Sequence, residues 1–207
     1  MNEKVVSPFP DGWGANSKVT KDGHLLMVYR GQHGTAEHWA ESKLGSLSFG
    51  TPRAASIYAL SPNNSKDKVQ APKVFPVYLD IRNPFVNAHD PFLDLSRYAE
   101  VFGMEETKRI ALKFQDHVEN TGAWCELTEE IKCLTLEKLM AEYPERLLEL
   151  YFNIYPLLDD AEEVARLQAA GFDGAIYDGS GETAMETEYR VFSEAQVRSV
   201  WDLRLAA

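Results

Sequence analysis

GAIYDGSGETAMETEYRVF, residues 174–192, gives the clearest indication of the fold. The segments GAIY at 174–177 and EYRVF at 188–192 flank a loop rich in glycine and polar residues, which predicts two strands joined by a turn-rich connection. The segment VRSVWDL at residues 197–203 predicts a third strand. The C-terminal part of the chain is therefore expected to form a β-sheet.

The N-terminal part also predicts strands. Residues 24–30 contain the continuous apolar run LLMVY, which is typical of a strand buried on both faces. Further elements are predicted as follows: a short helix at 35–42, a strand at 46–49, a helix at 52–60 with Thr51 as its N-cap, and a strand at 74–81. Pro76 lacks a backbone N–H, so we expect that last strand to lie at a sheet edge or to begin after the proline.

The middle of the chain has a different pattern. Between residues 91 and 158 the apolar residues recur at three- and four-residue steps, which predicts helices. A further helix at 160–170 is expected to end at Gly171. Strands at both ends with helices between them predict an α+β fold. We expect one domain over residues 1–207, with an irregular N-terminal arm at 1–23 and a helical insertion at about 91–158.

Composition narrows the function classes. The chain has 207 residues, of which 44% are hydrophobic, and it carries 32 acidic against 21 basic residues for a net charge of -11. This balance provides no broad positive surface, so nonspecific nucleic-acid binding is disfavoured. Cys125 and Cys133 are too few for a disulfide framework and lack zinc-site spacing, so we expect free thiols and no metal.

Localisation is predicted from the apolar runs. None reaches the roughly 18 to 20 residues that a membrane-spanning helix requires. The N-terminal residues lack the apolar stretch of a secretory signal. We expect a cytoplasmic protein without a membrane partner, or one delivered into the cytosol of a target cell by an export machine.

Two glutamates in the predicted loop and strand are candidates for chemistry. Alternation places Glu186 and Glu188 on the same side of an extended chain. Because the two carboxylates repel, the pKa of one of them is expected to rise. Such a pair can stabilise a cation-like transition state and accept a proton. An exposed acidic edge of an acidic protein is the simpler interpretation, and the motif alone favours it.

Arg30 and Gly31 form a second candidate. Arg30 ends an apolar strand, where its guanidinium could bind a phosphate or carboxylate through two parallel hydrogen bonds. Gly31 would let a ligand approach the backbone closely. A structural ion pair explains Arg30 equally well, so both interpretations stay open.

A third candidate is the motif Ser48-Phe49-Gly50-Thr51. It combines hydroxyl groups that can orient other polar groups with an aromatic face that can stack on a flat ring. A strand end followed by a helix cap also explains the motif, and is favoured when the motif is taken alone.

Taken in chain order, these motifs resemble a known family. Val28-Tyr29-Arg30-Gly31, Ser48-Phe49-Gly50-Thr51 and ETEYRVF at 186–192 are similar to the arginine, Ser-Thr-Ser-type and E-x-E elements of the ADP-ribosyltransferase superfamily. FPVYLDIRNPF at 75–85 and GFDGAIY at 171–177 resemble segments of the transferase-like domains of phage and bacterial polyvalent proteins and toxins. The resemblance covers roughly residues 24–90 and 171–203.

The resemblance implies a fold and an activity. The fold is a split antiparallel β-sandwich with NAD in the cleft between its sheets. The activity is that of a mono-ADP-ribosyltransferase, a glycosyltransferase that releases nicotinamide from its substrate NAD and needs no metal. The helical insertion has no counterpart in the minimal fold; covering the cleft, reading the acceptor or binding a partner such as an antitoxin or immunity protein are its implied roles.

The resemblance also implies residue roles. For the NAD site these are Arg30 at a phosphate or ribose, the Gly31 backbone at the nicotinamide amide, Ser48 and Thr51 as residues that order the cleft, and Phe49 or Tyr58 against the nicotinamide. Glu188 would hydrogen-bond the nicotinamide ribose and stabilise the oxocarbenium-like centre. Glu186 would deprotonate or orient the acceptor, which is a macromolecule and by the E-x-E motif a protein arginine.

Two other functions remain open at this stage. One is an ADP-ribosyltransferase that acts on RNA or DNA, as several transferases with this layout do. The other is a non-enzymatic interaction module with a degenerate transferase fold. The net charge of -11 opposes the first of these and favours a basic partner for the second.

Overall fold

The computed structural model describes residues 5–33, 38–40, 42, 44–60, 71–132 and 135–204. The chain divides into two compact units. The first unit comprises Met1–Asp90 and Leu158–Ala207, and the second comprises Pro91–Leu157. The first unit therefore joins the two ends of the sequence.

The strands in chain order are β1 (Thr20–Lys21), β2 (His24–Leu25), β3 (Met27–Gln32), β4 (Leu47–Phe49), β5 (Lys73–Leu79), β6 (Pro84–Asn87), β7 (Phe92–Asp94), β8 (Tyr151–Asn153), β9 (Gly174–Asp178), β10 (Thr187–Val191) and β11 (Val197–Ser199). The α-helices are α1 (Pro52–Leu60), α2 (Leu95–Phe102), α3 (Met104–Lys113), α4 (Gln115–Glu119), α5 (Gly122–Ile131), α6 (Leu136–Glu142), α7 (Tyr155–Asp159) and α8 (Ala161–Ala169). Short 3-10 helices are formed by Pro144–Glu149, Gly181–Thr183, Glu194–Gln196 and Val200–Arg204.

Two sheets build the first unit. One has the strand order β11-β5-β3 and is antiparallel. The other has the order β4-β10-β9-β6, in which only the β6–β9 pair is parallel. Both sheets contribute to one apolar core, formed by Val19, Val28, Leu47, Phe49, Val77, Leu79, Ile81, Ile176, Val191 and Val197. A mixed α and β fold with antiparallel sheets is thereby confirmed.

The two sheets are joined at one backbone bridge. Tyr29 of β3 and Gly50, directly after β4, exchange N–H···O hydrogen bonds of 2.9 and 2.8 Å. Tyr29 can make them because it faces Pro76 of β5, a residue without an N–H, in a pair that has no hydrogen bonds of its own. The end of β3 is therefore held beside the end of β4.

Helix α1 packs tightly on β3 through a glycine. A Cβ atom built on Gly31 would lie only 1.9 Å from the carbonyl oxygen of Ala55. Because that neighbour is backbone and cannot rotate away, only glycine permits this approach. The sequence predicted that a ligand approaches Gly31 closely; the close neighbour on this side is helix α1.

The predicted helix at 160–170 is confirmed as α8. The Asp160 carboxylate caps it by accepting hydrogen bonds from the backbone N–H groups of Glu162 and Glu163 at 3.0 and 3.1 Å. Gly171 follows the helix with a φ of 90°, a backbone conformation that favours glycine. Helix α1 is also confirmed, with the bounds that the sequence predicted.

The sequence predicted helices throughout residues 91–158, but the second unit also contains two strands. It begins with β7 and has β8 near its end, and these strands pair with Leu93 opposite Phe152. The spacing of apolar residues cannot distinguish a strand of three residues from a turn of helix, which explains the error. Buried residues of this unit are Leu93, Leu95, Tyr98, Ile110, Leu136, Leu139, Leu147 and Phe152.

The strand predicted at 24–30 is wrong in two respects. The chain breaks it into β2 and β3, and β3 is not buried on both faces, since Met27 is exposed while Val28 is buried. The run of five apolar residues concealed this alternation. The helix predicted at 35–42 lies largely outside the described residues.

The expectation for Pro76 is also wrong. Strand β5 passes through Pro76 and lies in the centre of its sheet. On one side Pro76 faces Tyr29 without hydrogen bonds, and on the other β11 already ends at Ser199, opposite Val77. The missing N–H therefore leaves no ladder partner unpaired.

Two smaller differences concern the C-terminal strands and the sheet edge. Only Val197–Ser199 of the segment 197–203 is a strand, and Val200–Arg204 forms a 3-10 helix. Strand β6, which pairs in parallel with β9, was not predicted because Asn83-Pro84 indicated the end of a strand.

In the part of the chain that the structure describes, no helix has both the length and the apolar character to cross a membrane.

Candidate functional site

Three predicted site residues meet where β3, β4 and β10 come together in the first unit. The guanidinium of Arg30 donates from Nη1 to the carbonyl oxygen of Ser48 at 3.0 Å. The hydroxyl of the same serine donates to Oε1 of Glu188 at 2.7 Å. Ser48 therefore links the arginine to the glutamate, one through its backbone and the other through its side chain.

The carboxylate of Glu188 is held firmly. Its Oε1 atom accepts hydrogen bonds from Ser48 Oγ at 2.7 Å, from Tyr177 Oη at 3.1 Å and from Arg190 Nε at 2.7 Å. Its side chain is 15% exposed. Three donors from β4, β9 and β10 fix the orientation of a carboxylate that still reaches the surface.

Arg190 lies beneath Glu188 and was missed by the sequence analysis. Its side chain is only 5% exposed, and besides Glu188 it contacts Asp159 Oδ1 at 2.8 Å, Tyr177 Oη at 3.1 Å and Ser46 Oγ at 3.3 Å. Burial acts to lower the pKa of Arg190, but Tyr177, Glu188 and Asp159 outweigh it and raise the pKa well above its ordinary value. Arg190 is therefore a permanent buried cation.

A sequence signal for Arg190 did exist. Glu188 and Arg190 are two residues apart on β10, so their side chains project to the same side. The alternation that paired Glu186 with Glu188 continues to Arg190. In the structure only Glu188 and Arg190 of these three lie on β10, while Glu186 precedes the strand.

Glu186 lies at a separate position from Glu188 and has its own partners. Its carboxylate is hydrogen-bonded by the Thr51 hydroxyl through Oε2 and ion-paired with Arg53 through Oε1. The Thr51 hydrogen bond, and after it the Arg53 pair, lower the pKa of Glu186 despite partial burial. The expected rise in a carboxyl pKa is therefore wrong for Glu186, because the Thr51 hydrogen bond and the Arg53 cation stabilise its charge more than burial opposes it.

Thr51 caps helix α1, as the sequence predicted, and its hydroxyl makes a second contact. Its hydroxyl oxygen accepts a hydrogen bond from the backbone N–H of Ala54 at 3.1 Å, which caps α1. The same hydroxyl contacts Glu186. The cap fixes the rotamer that places the hydroxyl beside the carboxylate.

Arg30 is half-buried. Its guanidinium carbon lies 5.7 Å from the centre of the Phe49 ring. The pKa of Arg30 is lowered to about 10, chiefly by burial; Tyr58 acts to raise it, and the charge of Arg190 makes a smaller lowering contribution. The guanidinium is thus a partly desolvated cation, and an anionic ligand would stabilise it.

Phe49 is not available to stack on a ligand, which corrects the prediction. It is buried in the apolar core, on the opposite face of β4 from Ser48. Tyr58 of α1 remains the aromatic candidate, because its side chain is 44% exposed and its ring lies 5.7 Å from the ring of His33.

The backbone of Gly31 has a defined direction. The N–H and C=O groups of Tyr29 point away from β5, toward Gly50. Peptide groups alternate along an extended strand, so those of Gly31, two residues on, point to the same edge of β3. One donor and one acceptor are thereby presented beside Arg30.

A separate surface depression of about 360 Å³ lies at the N-terminal arm and is lined by Phe9, Pro10, Asp11, Arg198 and Asp202. None of the predicted site residues lines it. Arg198 of β11 lies 5.0 Å from the rings of both Phe9 and Trp13 and pairs with Asp11 at 2.8 Å. These contacts attach the arm to the sheet, so we assign them a structural role.

Among the described residues, no group of three or more histidine, cysteine, aspartate or glutamate side chains could hold a metal ion. No protein-family model, curated protein or solved structure matches this chain.

Proposed function

We propose that this protein is a mono-ADP-ribosyltransferase that cleaves NAD and transfers ADP-ribose to a macromolecule. One observation carries the proposal: Ser48 joins Arg30 and Glu188 by direct hydrogen bonds of 3.0 and 2.7 Å. These three side chains come from distant parts of the sequence, and each has the residue type and strand position of the corresponding transferase motif.

We further propose that the first unit is a split antiparallel β-sandwich of this superfamily. The shared core of the two sheets supports it, as does the bridge between Tyr29 and Gly50. The candidate residues lie around this bridge, on β3 of one sheet and on β4 and β10 of the other. NAD would occupy the edge where the two sheets meet.

The NAD contacts follow from the groups presented there. The half-buried Arg30 guanidinium binds a phosphate, for which its planar donors are suited. The N–H and C=O of Gly31 match the acceptor and donor of the nicotinamide carboxamide. Tyr58 covers the nicotinamide ring from the exposed side of α1.

The chemical step requires negative charge beside the anomeric carbon of the nicotinamide ribose. Glu188 supplies it, oriented by Ser48, Tyr177 and Arg190 before substrate arrives. As the bond to nicotinamide breaks, positive charge develops on the ribose, and a fixed carboxylate stabilises that charge without reorganisation. Nicotinamide leaves with the electron pair of the broken bond.

A protein arginine is the acceptor that we propose, with RNA or DNA as the alternative. Glu186 has a pKa lowered from an ordinary value of 4.5, so its carboxylate is charged at neutral pH, and it already binds a guanidinium, that of Arg53. The net charge of -11 opposes a polyanionic acceptor. We propose that the protein acts on its arginine acceptor in a cytoplasm, as an effector or toxin.

A non-enzymatic module is the second candidate, favoured by one contact. Arg190 Nε lies 2.7 Å from Glu188 Oε1, so the proposed catalytic carboxylate is part of an ion pair. Such a pair weakens the field that a developing cation would meet. In this function the cluster of Arg30, Ser48, Glu188 and Arg190 stabilises the fold only.

Nicotinamide release distinguishes the two functions. We would incubate the protein with NAD and compare wild type with Glu188→Gln, which keeps the shape of the side chain, and with Glu194→Gln at an exposed glutamate. A transferase shows slow release that falls by roughly a hundredfold or more in Glu188→Gln, because a fixed electrostatic partner is worth that much. Glu194→Gln should equal wild type. Absence of release, together with an unchanged melting temperature in NAD, would favour the module.

A further inference from the structure

The carboxylate that we assign to the acceptor already binds a guanidinium of its own chain. Arg53, in the first turn of α1, is ion-paired with Glu186 Oε1, while Thr51 occupies Oε2. The Arg53 side chain is 63% exposed. It therefore combines accessibility with a direct contact to the site.

The pair contributes little to stability, because an exposed ion pair is worth about 0 to 1 kcal/mol. The geometry of the pair, more than its energy, bears on the proposed reaction. Arginine presents planar nitrogen donors that match a carboxylate, and an incoming arginine acceptor would use the same donors. Arg53 thus occupies the position that the proposed reaction reserves for its acceptor.

We propose that Arg53 is a modification site, to which the protein transfers ADP-ribose in an intramolecular reaction. This inference rests on the proposed function. Glu186 lies directly before β10 and two residues from Glu188, so their Cα atoms can be at most about 7 Å apart. A guanidinium held at Glu186 is therefore within one side-chain length of a ribose held at Glu188.

The step balances as follows. Glu186 accepts a proton from the Arg53 guanidinium, and one Nη atom attacks C1′ of the nicotinamide ribose. A C1′–Nη bond forms, the C1′–N1 bond to nicotinamide breaks, and the electron pair of that bond leaves with neutral nicotinamide. The products are an ADP-ribosylated guanidinium, nicotinamide and one proton.

The other two arginines of the site do not meet these conditions. Arg190 is 5% exposed and is bound by both Glu188 and Asp159. Arg30 is half-buried and directed at the Ser48 carbonyl. Of these three, Arg53 alone is both exposed and in contact with Glu186.

The test is mass spectrometry of the purified full chain after incubation with NAD, with released nicotinamide measured in the same samples. Wild type should gain the mass of one ADP-ribosyl group, located on the peptide that contains Arg53. Arg53→Lys keeps the positive charge but has no guanidinium, so this modification should be lost completely while nicotinamide is still released. Arg97→Lys, at an exposed arginine paired with Glu100, serves as the matched control and should behave as wild type.

The rate of modification identifies the intramolecular step. A reaction in one chain has a rate constant that does not change with protein concentration, whereas a rate constant that rises with concentration would overturn the inference. Nicotinamide release without modification of Arg53, or modification located at other arginines, would also overturn it and leave the proposed function intact. No release of nicotinamide from wild type would overturn both.

Discussion

Ser48 Oγ lies 2.7 Å from Glu188 Oε1, although 140 residues separate them in the sequence. The contact runs between β4 and β10, which pair with Ser48 opposite Arg190. Its position is therefore set by backbone hydrogen bonds on both strands. The hydroxyl acts on an already fixed carboxylate, and its removal should change function more than fold.

We expect Ser48→Ala to lower nicotinamide release by about tenfold, the effect of losing one hydrogen bond of about 1.4 kcal/mol to a charged group. The melting temperature should change little. The control is Ser56→Ala, at a serine whose hydroxyl donates to the Pro52 carbonyl within α1. Equal release by wild type and a folded Ser48→Ala would show that the hydroxyl does not orient Glu188.

Arg190→Met should destabilise the protein by about 3 kcal/mol, because it leaves Glu188 and Asp159 without their shared cation. The free energy of unfolding in urea measures this change. In the double variant with Glu188→Gln the loss should be smaller than the sum of the single effects. Strict additivity would mean that the two residues do not interact energetically. Arg97→Met, at an exposed arginine, should change stability by less than about 0.5 kcal/mol.

The pH dependence of stability should contain a contribution from Glu186. Its folded pKa is lowered, first by Thr51 and then by Arg53, from an ordinary value of 4.5. A lowered acid pKa stabilises the fold above the unfolded pKa, and this stabilisation is lost as pH falls through the folded pKa. Because Arg53 is exposed, we expect the contribution to be at most about 1 kcal/mol.

Unfolding of wild type and Glu186→Gln, measured from neutral pH to acid, checks this. Wild type should be the more stable protein above about pH 4.5, and the difference should diminish below it. A difference that grows as the pH falls would contradict the assigned sign of the shift.

Gly31→Ala should destabilise the first unit by about 1 to 3 kcal/mol, the usual range for overpacking. The added methyl group would meet the Ala55 carbonyl at 1.9 Å and push α1 away from β3. Thermal unfolding measures the loss. Gly122→Ala is the matched control, since its Cβ would meet only the Tyr151 hydroxyl at 3.9 Å and should be tolerated. Similar stability of both variants would show that α1 adjusts at little cost.

The sequence predicted the elements with strong local signals. Helices α1 and α8 have clear caps, in Thr51 and Asp160, and β9 and β10 flank a loop of turn residues. The interior strands β7 and β8 were missed because three residues are too few to establish a period of two. Whether such a segment forms a strand or a helix depends on its pairing partner, and the local sequence does not identify that partner.

The candidate site was predicted as a set of residues and not as a network. Order along the chain indicated Arg30, Ser48 and Glu188, and the structure brings them together. The order of residues along the chain could not reveal that Phe49 faces the core, since that depends on which side of β4 is covered. Nor could it show Arg190 as the shared partner of Glu188 and Asp159, because a buried ion pair depends on contacts across elements.

The first unit is assembled from two segments of the chain, and this has a consequence during synthesis. Strand β4 and Ser48 are made early, but their partner β10, with Glu188 and Arg190, is made more than a hundred residues later. A nascent chain that has not yet released β10 from the ribosome has no Glu188 beside Ser48. The site is therefore completed only after β10 has been made, and a chain that terminates before β10 carries half of it.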